Sequence, residues 1–200
     1  MKNLPLLEPI NTCCIQAYLK QQELDVCNDD ICVDELRKQY PSAILDVFEF
    51  QLSQDSPELN QLDSTYFTLI NEEKYLHFIE KAFYANNEYC IAKTGILHGD
   101  YEGILRDIDE LDALDKHLFL HQVIHLWPRE YEHFVFNNIN LLKMLMRGIV
   151  RGYFHAEIYF QKKPMILFSN FDLSLPVIFK DELAMNFYHN LAKESNLYLR

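Results

Sequence analysis

The chain has 200 residues, of which 49% are hydrophobic and 14% aromatic, and its formal net charge is −12. That hydrophobic content is enough for a core, so wholesale disorder is excluded, and the length fits one domain or at most two small ones. The acidic excess argues against nucleic-acid binding, because contacts to phosphate dominate that affinity.

The N-terminal part of the chain is predicted to contain helices followed by a strand. Residues 11–40 have the pattern of two helices, of which the second is short and ends before Pro41. Residues 43–52 are rich in β-forming side chains that alternate in polarity, which predicts a strand. The polar segment 53–63 is predicted to be a loop.

Two segments have the pattern of a β-α-β unit. In the first, residues 65–70 are predicted to be a strand, Asn71 to cap a helix, and residues 88–93 to form the second strand. In the second, Asp181 is predicted to cap a helix between the strands 175–180 and 197–199. Their similar length raises the alternative that the chain consists of two similar halves, residues 1–100 and 101–200.

Two further helices are predicted between these units, at residues 104–126 and 138–151. The apolar face of the first is defined by helical spacing, and it comprises Ile104, Ile108, Leu111, Leu114 and Leu118. Its acidic residues are expected on the solvent side, namely Asp109, Glu110 and Asp112.

A change of period after Gly152 predicts a β-meander. Residues 154–161 alternate between two faces, a turn follows at residues 162–164, and a strand is expected at residues 165–169. Together with the strand at 175–180, this predicts an α+β fold in which an antiparallel meander sheet packs with helices. We expect one α+β domain that spans residues 1–200.

The N-terminus and the cysteines both indicate a cytoplasmic protein. Pro5, Glu8 and Pro9 interrupt any apolar segment of a signal peptide, and no run approaches the roughly 18 apolar residues that span a bilayer. The odd number of cysteines is typical of free thiols in a reducing cytosol. They are Cys13, Cys14, Cys27, Cys32 and Cys90.

Three histidines repeat at a spacing of four residues on the first long helix, at His117, His121 and His125. Two of them could share a metal, but the glutamate of a His-Glu-x-x-His motif is missing and the third histidine lies too far along the helix axis to close a tetrahedral site. We therefore expect no metal. A histidine stripe at the border between core and solvent is the simpler interpretation, and a pH-responsive cluster is the other alternative.

Two other pairs of side chains could support chemistry. His155 and Glu157 project from one face of a predicted strand, and they could act in acid–base catalysis if they lined a cleft; the solvated face of a meander is the favoured interpretation. Arg147 and Arg151 could clamp a phosphate or carboxylate, but Gly148 and Gly152 beside them favour a structural role. No nucleophile elbow and no dinucleotide fingerprint occur, so we expect neither a catalytic residue nor a cofactor.

The acidic residues are concentrated in two segments. Residues 100–115 contain seven acids against Arg106 alone, and residues 23–63 contain eleven against Arg37 and Lys38. Such a lopsided field attracts basic partners and repels nucleic acid and anionic membranes.

The expected function is that of an acidic cytoplasmic inhibitor that binds a basic protein directly. Immunity proteins of bacterial toxin systems have this general character, since blocking a basic nuclease needs only complementary charge and a few aromatic anchors. The alternatives are a structural or adaptor protein that forms homo-oligomers and an enzyme of another type. The residues expected to bind the partner are Asp107, Asp109, Glu110, Asp112 and Asp115.

Overall fold

The computed structural model describes residues 4–11, 33–53, 55–58, 65–97, 101–127, 131–170 and 172–200. For Tyr101, Asp107 and Glu110 it describes the backbone only. The first helix predicted within residues 11–40 and four of the five cysteines lie outside the described residues. The second predicted helix of that segment is confirmed, since Val33–Gln39 is helical.

The described residues form one eight-stranded antiparallel sheet, which confirms the α+β prediction. Its spatial order is β1-β4-β3-β5-β6-β7-β2-β8, and the predicted meander is confirmed as the consecutive strands β5, β6 and β7. The strand predicted at residues 43–52 ends at Asp46. The strands are β1 Glu8–Pro9, β2 Ser42–Asp46, β3 Cys90–Thr94, β4 His133–Phe136, β5 Ala156–Phe160, β6 Met165–Phe168, β7 Leu175–Phe179 and β8 Tyr198–Leu199.

Six helices accompany the sheet within the described part of the chain. They are α1 Val33–Gln39, α2 Thr65–Ala85, α3 Tyr101–Glu110, α4 Ala113–Leu126, α5 Ile139–Val150 and α6 Glu182–Glu194. The main hydrophobic core joins one face of the sheet, which includes Ile158, to α2, α5 and α6. The opposite face, which includes Tyr159, forms a smaller cluster with Leu36 of α1.

Helix α2 begins where the sequence predicted a strand, so the prediction for residues 65–70 is wrong. Phe67 is buried there and stacks on Phe48 with ring centroids 5.8 Å apart. Asn71 lies inside the helix, where its side chain donates to the Phe67 carbonyl, and it does not cap the N-terminus. Local β propensity was overridden by packing of the helix on the core. The first predicted β-α-β unit therefore lacks its first strand.

The second predicted β-α-β unit is present. Strand β7 leads into α6, whose cap Asp181 accepts a hydrogen bond from the Ala184 amide at 2.8 Å, and β8 follows. Because β2 lies between β7 and β8 and is antiparallel to both, these two strands run in the same direction.

The helix predicted at residues 104–126 is two helices, α3 and α4, separated at Leu111 and Asp112. The interruption changes which side chains of α4 point inward. Leu114, expected in the core, is 59% exposed, whereas Asp115, expected in solvent, is 1% exposed. Leu111 and Leu118 are buried as predicted, and Asp109 and Asp112 are exposed as predicted.

Helix α5 agrees with the prediction and shows why glycine occupies its last turn. A Cβ atom at Gly148 would lie 1.9 Å from Cδ2 of Phe154, so only glycine admits this ring. Gly152 follows the helix with a φ of 76°, a conformation that side chains other than glycine rarely adopt. The structural interpretation of both glycines is therefore confirmed. Within the described residues no helix has the length and apolar character that a bilayer crossing requires.

Candidate functional site

The acidic segment meets α5 in a network of ion pairs, and Asp115 is its innermost carboxylate. Nη1 of Arg147 donates to both oxygens of Asp115 at 2.8 Å. Because this carboxylate is buried and already occupied, Asp115 is not a free contact for a partner, and its predicted exposure is wrong.

Arg151 extends the network to α2 and to the start of α4. Its Nε lies 2.6 Å from Oε2 of Glu72, and its Nη2 lies 2.9 Å from Oδ2 of Asp112. Glu72 also lies 3.8 Å from Nε of Arg147. The two arginines thus bind carboxylates of their own chain and connect α2, α4 and α5.

Protonation within the network follows from burial and from the arginines. The hydrogen bond from Arg151 lowers the pKa of Asp112. Burial raises the pKa of Asp115, and the contact with Arg147 offsets this only in part. The hydrogen bond to Glu72 raises the pKa of Arg151. At neutral pH Asp112 and Arg151 are therefore charged, and their attraction helps to hold the start of α4 against the end of α5.

The remaining acidic candidates lie on α3 and at the start of α4. Asp109 is exposed, and the side chain of Asp112 is 60% exposed although it contacts Arg151. The side chains of Asp107 and Glu110 are outside the described part of the structure. Of the five predicted partner-binding residues, Asp109 and Asp112 are therefore exposed to solvent and Asp115 is buried.

Large apolar side chains are exposed beside these acids, a feature the sequence prediction missed. Leu105 on α3 and Leu114 on α4 are exposed, and Ile124 on α4 is 74% exposed. On α4 they share a face with the predicted histidine stripe, because positions 114, 117, 121, 124 and 125 recur at helical spacing. We call the exposed residues of α3, of α4 and of the break between them the α3–α4 surface: Glu102, Leu105, Arg106, Asp109, Asp112, Ala113, Leu114, His117, Leu120, Ile124 and His125.

The histidine stripe runs along this surface, and His121 in its middle is half-buried. His117 and His125 are exposed, and the rings of His121 and His125 lie 4.5 Å apart between centroids in an edge-to-face arrangement. Among the described residues no group of three or more metal-binding side chains converges. The absence of a metal stays a prediction.

A cavity of about 590 Å³ lies on the α1 side of the sheet. His155 and Glu157 line it, together with Lys93 of β3 and Arg37 of α1, so they do not form a plain solvated strand face as the favoured interpretation had it. Ser169 is also part of the wall: its Oγ accepts from the Ala156 amide at 3.0 Å and lies 3.5 Å from Nδ1 of His155.

Sequence reasoning missed that Lys93, Arg37 and Ser169 line a cavity together with His155, because they lie far from it in the sequence. Only the cross-strand register brings Lys93 opposite Glu157. By contrast, Asp172 acts locally, since its Oδ1 accepts from the Ser174 amide at 2.7 Å within the turn.

Comparison with protein-family models, curated proteins and solved structures finds no match for this chain.

Proposed function

We propose that this chain is an acidic inhibitor that binds a basic protein directly, such as an immunity protein that neutralises a toxin. The observation that supports this proposal is the α3–α4 surface, on which exposed apolar side chains lie among carboxylates. Leu114 and Ile124 are the apolar anchors, and Asp109 is an exposed carboxylate on the neighbouring helix.

The two kinds of side chain contribute differently to binding. Burying a leucine or isoleucine side chain is worth about 1.5–3 kcal/mol, which slows dissociation of a complex. Exposed carboxylates act at longer range and raise the association rate with a basic partner by roughly ten-fold to a thousand-fold at low salt. An apolar centre surrounded by a polar rim is typical of specific protein–protein interfaces.

The ion-pair network supports this surface mechanically. It joins the first residues of α4 to α5 and α2, so Leu114 stands on a backbone that is held by Arg147 and Arg151. A surface that is already ordered loses little conformational entropy on binding. The network thus serves as the base of the proposed interface, while Asp115 contributes through Arg147 and not by contact.

The proposal is tested by capturing the partner on the tagged chain and measuring association and dissociation rates with variants. The apolar variant is Leu114→Ser with Ile124→Ser, and its matched control is Leu183→Ser on α6, since Leu183 is 81% exposed. We expect the double variant to raise the dissociation rate ten-fold or more and the control to leave it unchanged.

The charge variant replaces Asp107 and Asp109 with asparagine and Glu110 with glutamine, and it leaves Asp112 and Asp115 in their ion pairs. We expect a slower association that depends less on salt, with an unchanged dissociation rate. If the wild-type chain and both sets of variants had equal association and dissociation rates, the α3–α4 surface would not be the binding surface.

The exposed apolar residues also favour a second candidate, a homo-oligomeric adaptor that pairs through the same surface. A two-fold contact would bring the carboxylates of two identical surfaces together, which is unfavourable for a chain with a net charge of −12. Light scattering at increasing salt distinguishes the two functions. A dimer that forms as salt rises and dissociates on Ile124→Ser would favour the adaptor.

A further inference from the structure

The floor of the cavity is a row of neighbouring residues on the α1 side of the sheet. Lys93 of β3 is paired with Glu157 of β5, and Glu157 is paired with Phe168 of β6. In the next two strands Pro176 of β7 is paired with Ile44 of β2. All five line the cavity, so their side chains share one face of the sheet.

On the sheet floor itself, charge is confined to one end of this row, while Asp34 and Arg37 of α1, Glu132 and His155 also line the cavity. Lys93 and Glu157 are directly opposite each other, and such cross-strand neighbours have Cβ atoms about 4.5–5.5 Å apart. A cation and an anion therefore stand side by side at the floor. A ligand that fits this end carries an anion and a cation that are also side by side.

The other end of the row is apolar. Phe168, Pro176 and Ile44 follow one another on strands about 4.8 Å apart, so an apolar strip begins immediately beside Glu157. A ligand that fits both ends has its charged groups at one end and an apolar body at the other.

We propose that this cavity binds a small zwitterion with an apolar body, of the class of apolar α-amino acids. The ammonium and carboxylate groups of an α-amino acid are joined to one carbon, which matches adjacent side chains of opposite sign. The ammonium group contacts Glu157, the carboxylate contacts Lys93, and the side chain lies along Phe168 and Pro176. The cavity volume of about 590 Å³ lies within the usual range for small-molecule sites, so such a ligand fits with room for water.

This site is separate from the proposed inhibitor surface. The cavity is formed by α1 and the sheet face beside it, whereas the α3–α4 surface belongs to other elements. Ligand binding in the cavity and partner binding on α3 and α4 therefore succeed or fail independently.

The test uses calorimetric titration of the full chain with L-leucine and L-phenylalanine, and with two leucine derivatives that each lack one charge. N-acetyl-L-leucine lacks the ammonium group, and L-leucinamide lacks the carboxylate. We expect saturable binding of at least one of the two amino acids, and both derivatives to bind on the order of ten-fold more weakly than leucine.

Two variants test which charged group of the ligand contacts Glu157 and which contacts Lys93. Glu157→Gln keeps an oxygen that can accept from Tyr159, and it is expected to weaken leucine binding about ten-fold without further weakening that of N-acetyl-leucine. Lys93→Met keeps the apolar stem, and it is expected to weaken leucine binding while leaving that of leucinamide unchanged. Glu182→Gln on the exposed start of α6 is the matched control for an unrelated charge.

Absence of saturable binding by the wild-type chain with either amino acid up to roughly 10 mM would overturn the proposal, and no variant is needed for that result. Equal affinity for leucine and its two derivatives would also overturn it, because binding would then not depend on the charged groups.

Discussion

Asp115 and Arg147 form an ion pair between α4 and α5, with the single nitrogen Nη1 of Arg147 at 2.8 Å from each carboxylate oxygen. The two residues are 32 positions apart in the sequence, and Asp115 lies in the most acidic stretch of the chain. In the sequence Asp115 resembles a surface acid, but in the fold this ion pair makes it a buried structural residue. The pair also explains why Leu114 faces solvent, since Asp115 occupies the inward position beside it.

Replacing Asp115 with asparagine is expected to lower the free energy of unfolding by about 2–4 kcal/mol. The substitution removes a buried charge and leaves Arg147 with a weaker partner, and breaking one side of a buried ion pair is strongly destabilising. Urea denaturation measures the difference. Asp109→Asn is the matched control, because Asp109 is exposed on the neighbouring helix and should change stability by no more than about 0.5 kcal/mol. Equal effects of the two substitutions would contradict the structural role of Asp115.

Asp112 is expected to contribute stability that disappears in acid. Arg151 lowers the pKa of Asp112 in the folded chain, so its contribution is complete above the unfolded value of about 3.9 and is lost as pH falls through the lowered pKa. The difference in unfolding free energy between wild type and Asp112→Asn should therefore be constant above about pH 5 and shrink as pH falls below the unfolded pKa of about 3.9 and through the lowered pKa of the folded chain. Since this side chain is largely exposed, we expect a difference below about 1 kcal/mol. A difference that grows toward low pH would have the wrong sign.

Adding a methyl group at Gly148 is expected to destabilise the fold by about 1–3 kcal/mol or more. The new Cβ would meet the ring of Phe154, which is buried and stacked on Phe119 at 5.8 Å, so the ring has little room to move. Thermal unfolding of Gly148→Ala measures the loss. The double variant Gly148→Ala with Phe154→Leu should lose less stability than the two single variants added together, because the smaller side chain relieves the clash. Strict additivity of the two substitutions would show that the close contact is not the cause.

Cys90 is expected to resist alkylation as long as the chain is folded. It is completely buried in β3, and burial raises the pKa of its thiol, so little reactive thiolate forms near neutral pH. Mass spectrometry of peptides after brief iodoacetamide treatment at pH 8 should show this cysteine labelled in denaturant and unlabelled without it. Comparable labelling in both conditions would mean that β3 opens readily in the native protein.

The sequence by itself determined the elements whose patterns are strong and local. The meander of β5, β6 and β7 follows from alternation in β5 and from the turn signals after it. Helices α5 and α6 follow from helical spacing, with Asp181 predicted as the cap of α6. The α+β class follows from these elements together. Each depends on residues within a few positions of one another, so no distant contact was needed to predict it.

Only the tertiary structure decided the elements in which local preference and packing disagree. Residues 65–70 have side chains that favour strands, but burial of Phe67 and its contact with Phe48 make them the start of α2. The break between α3 and α4 involves neither proline nor glycine, and the inward position of Asp115 is accompanied by its ion pair with Arg147 of α5, 32 residues away in the sequence.

Each of the two candidate sites also has features that depend on the tertiary structure. The acidic character of the α3–α4 surface was visible in the sequence, because net charge is a property of composition. The exposure of Leu114 and the pairing of Lys93 with Glu157 were not visible, because each is fixed by contacts between elements that are distant in the chain. Burial and strand register are set by the packing of the whole sheet, and no local pattern contains that information.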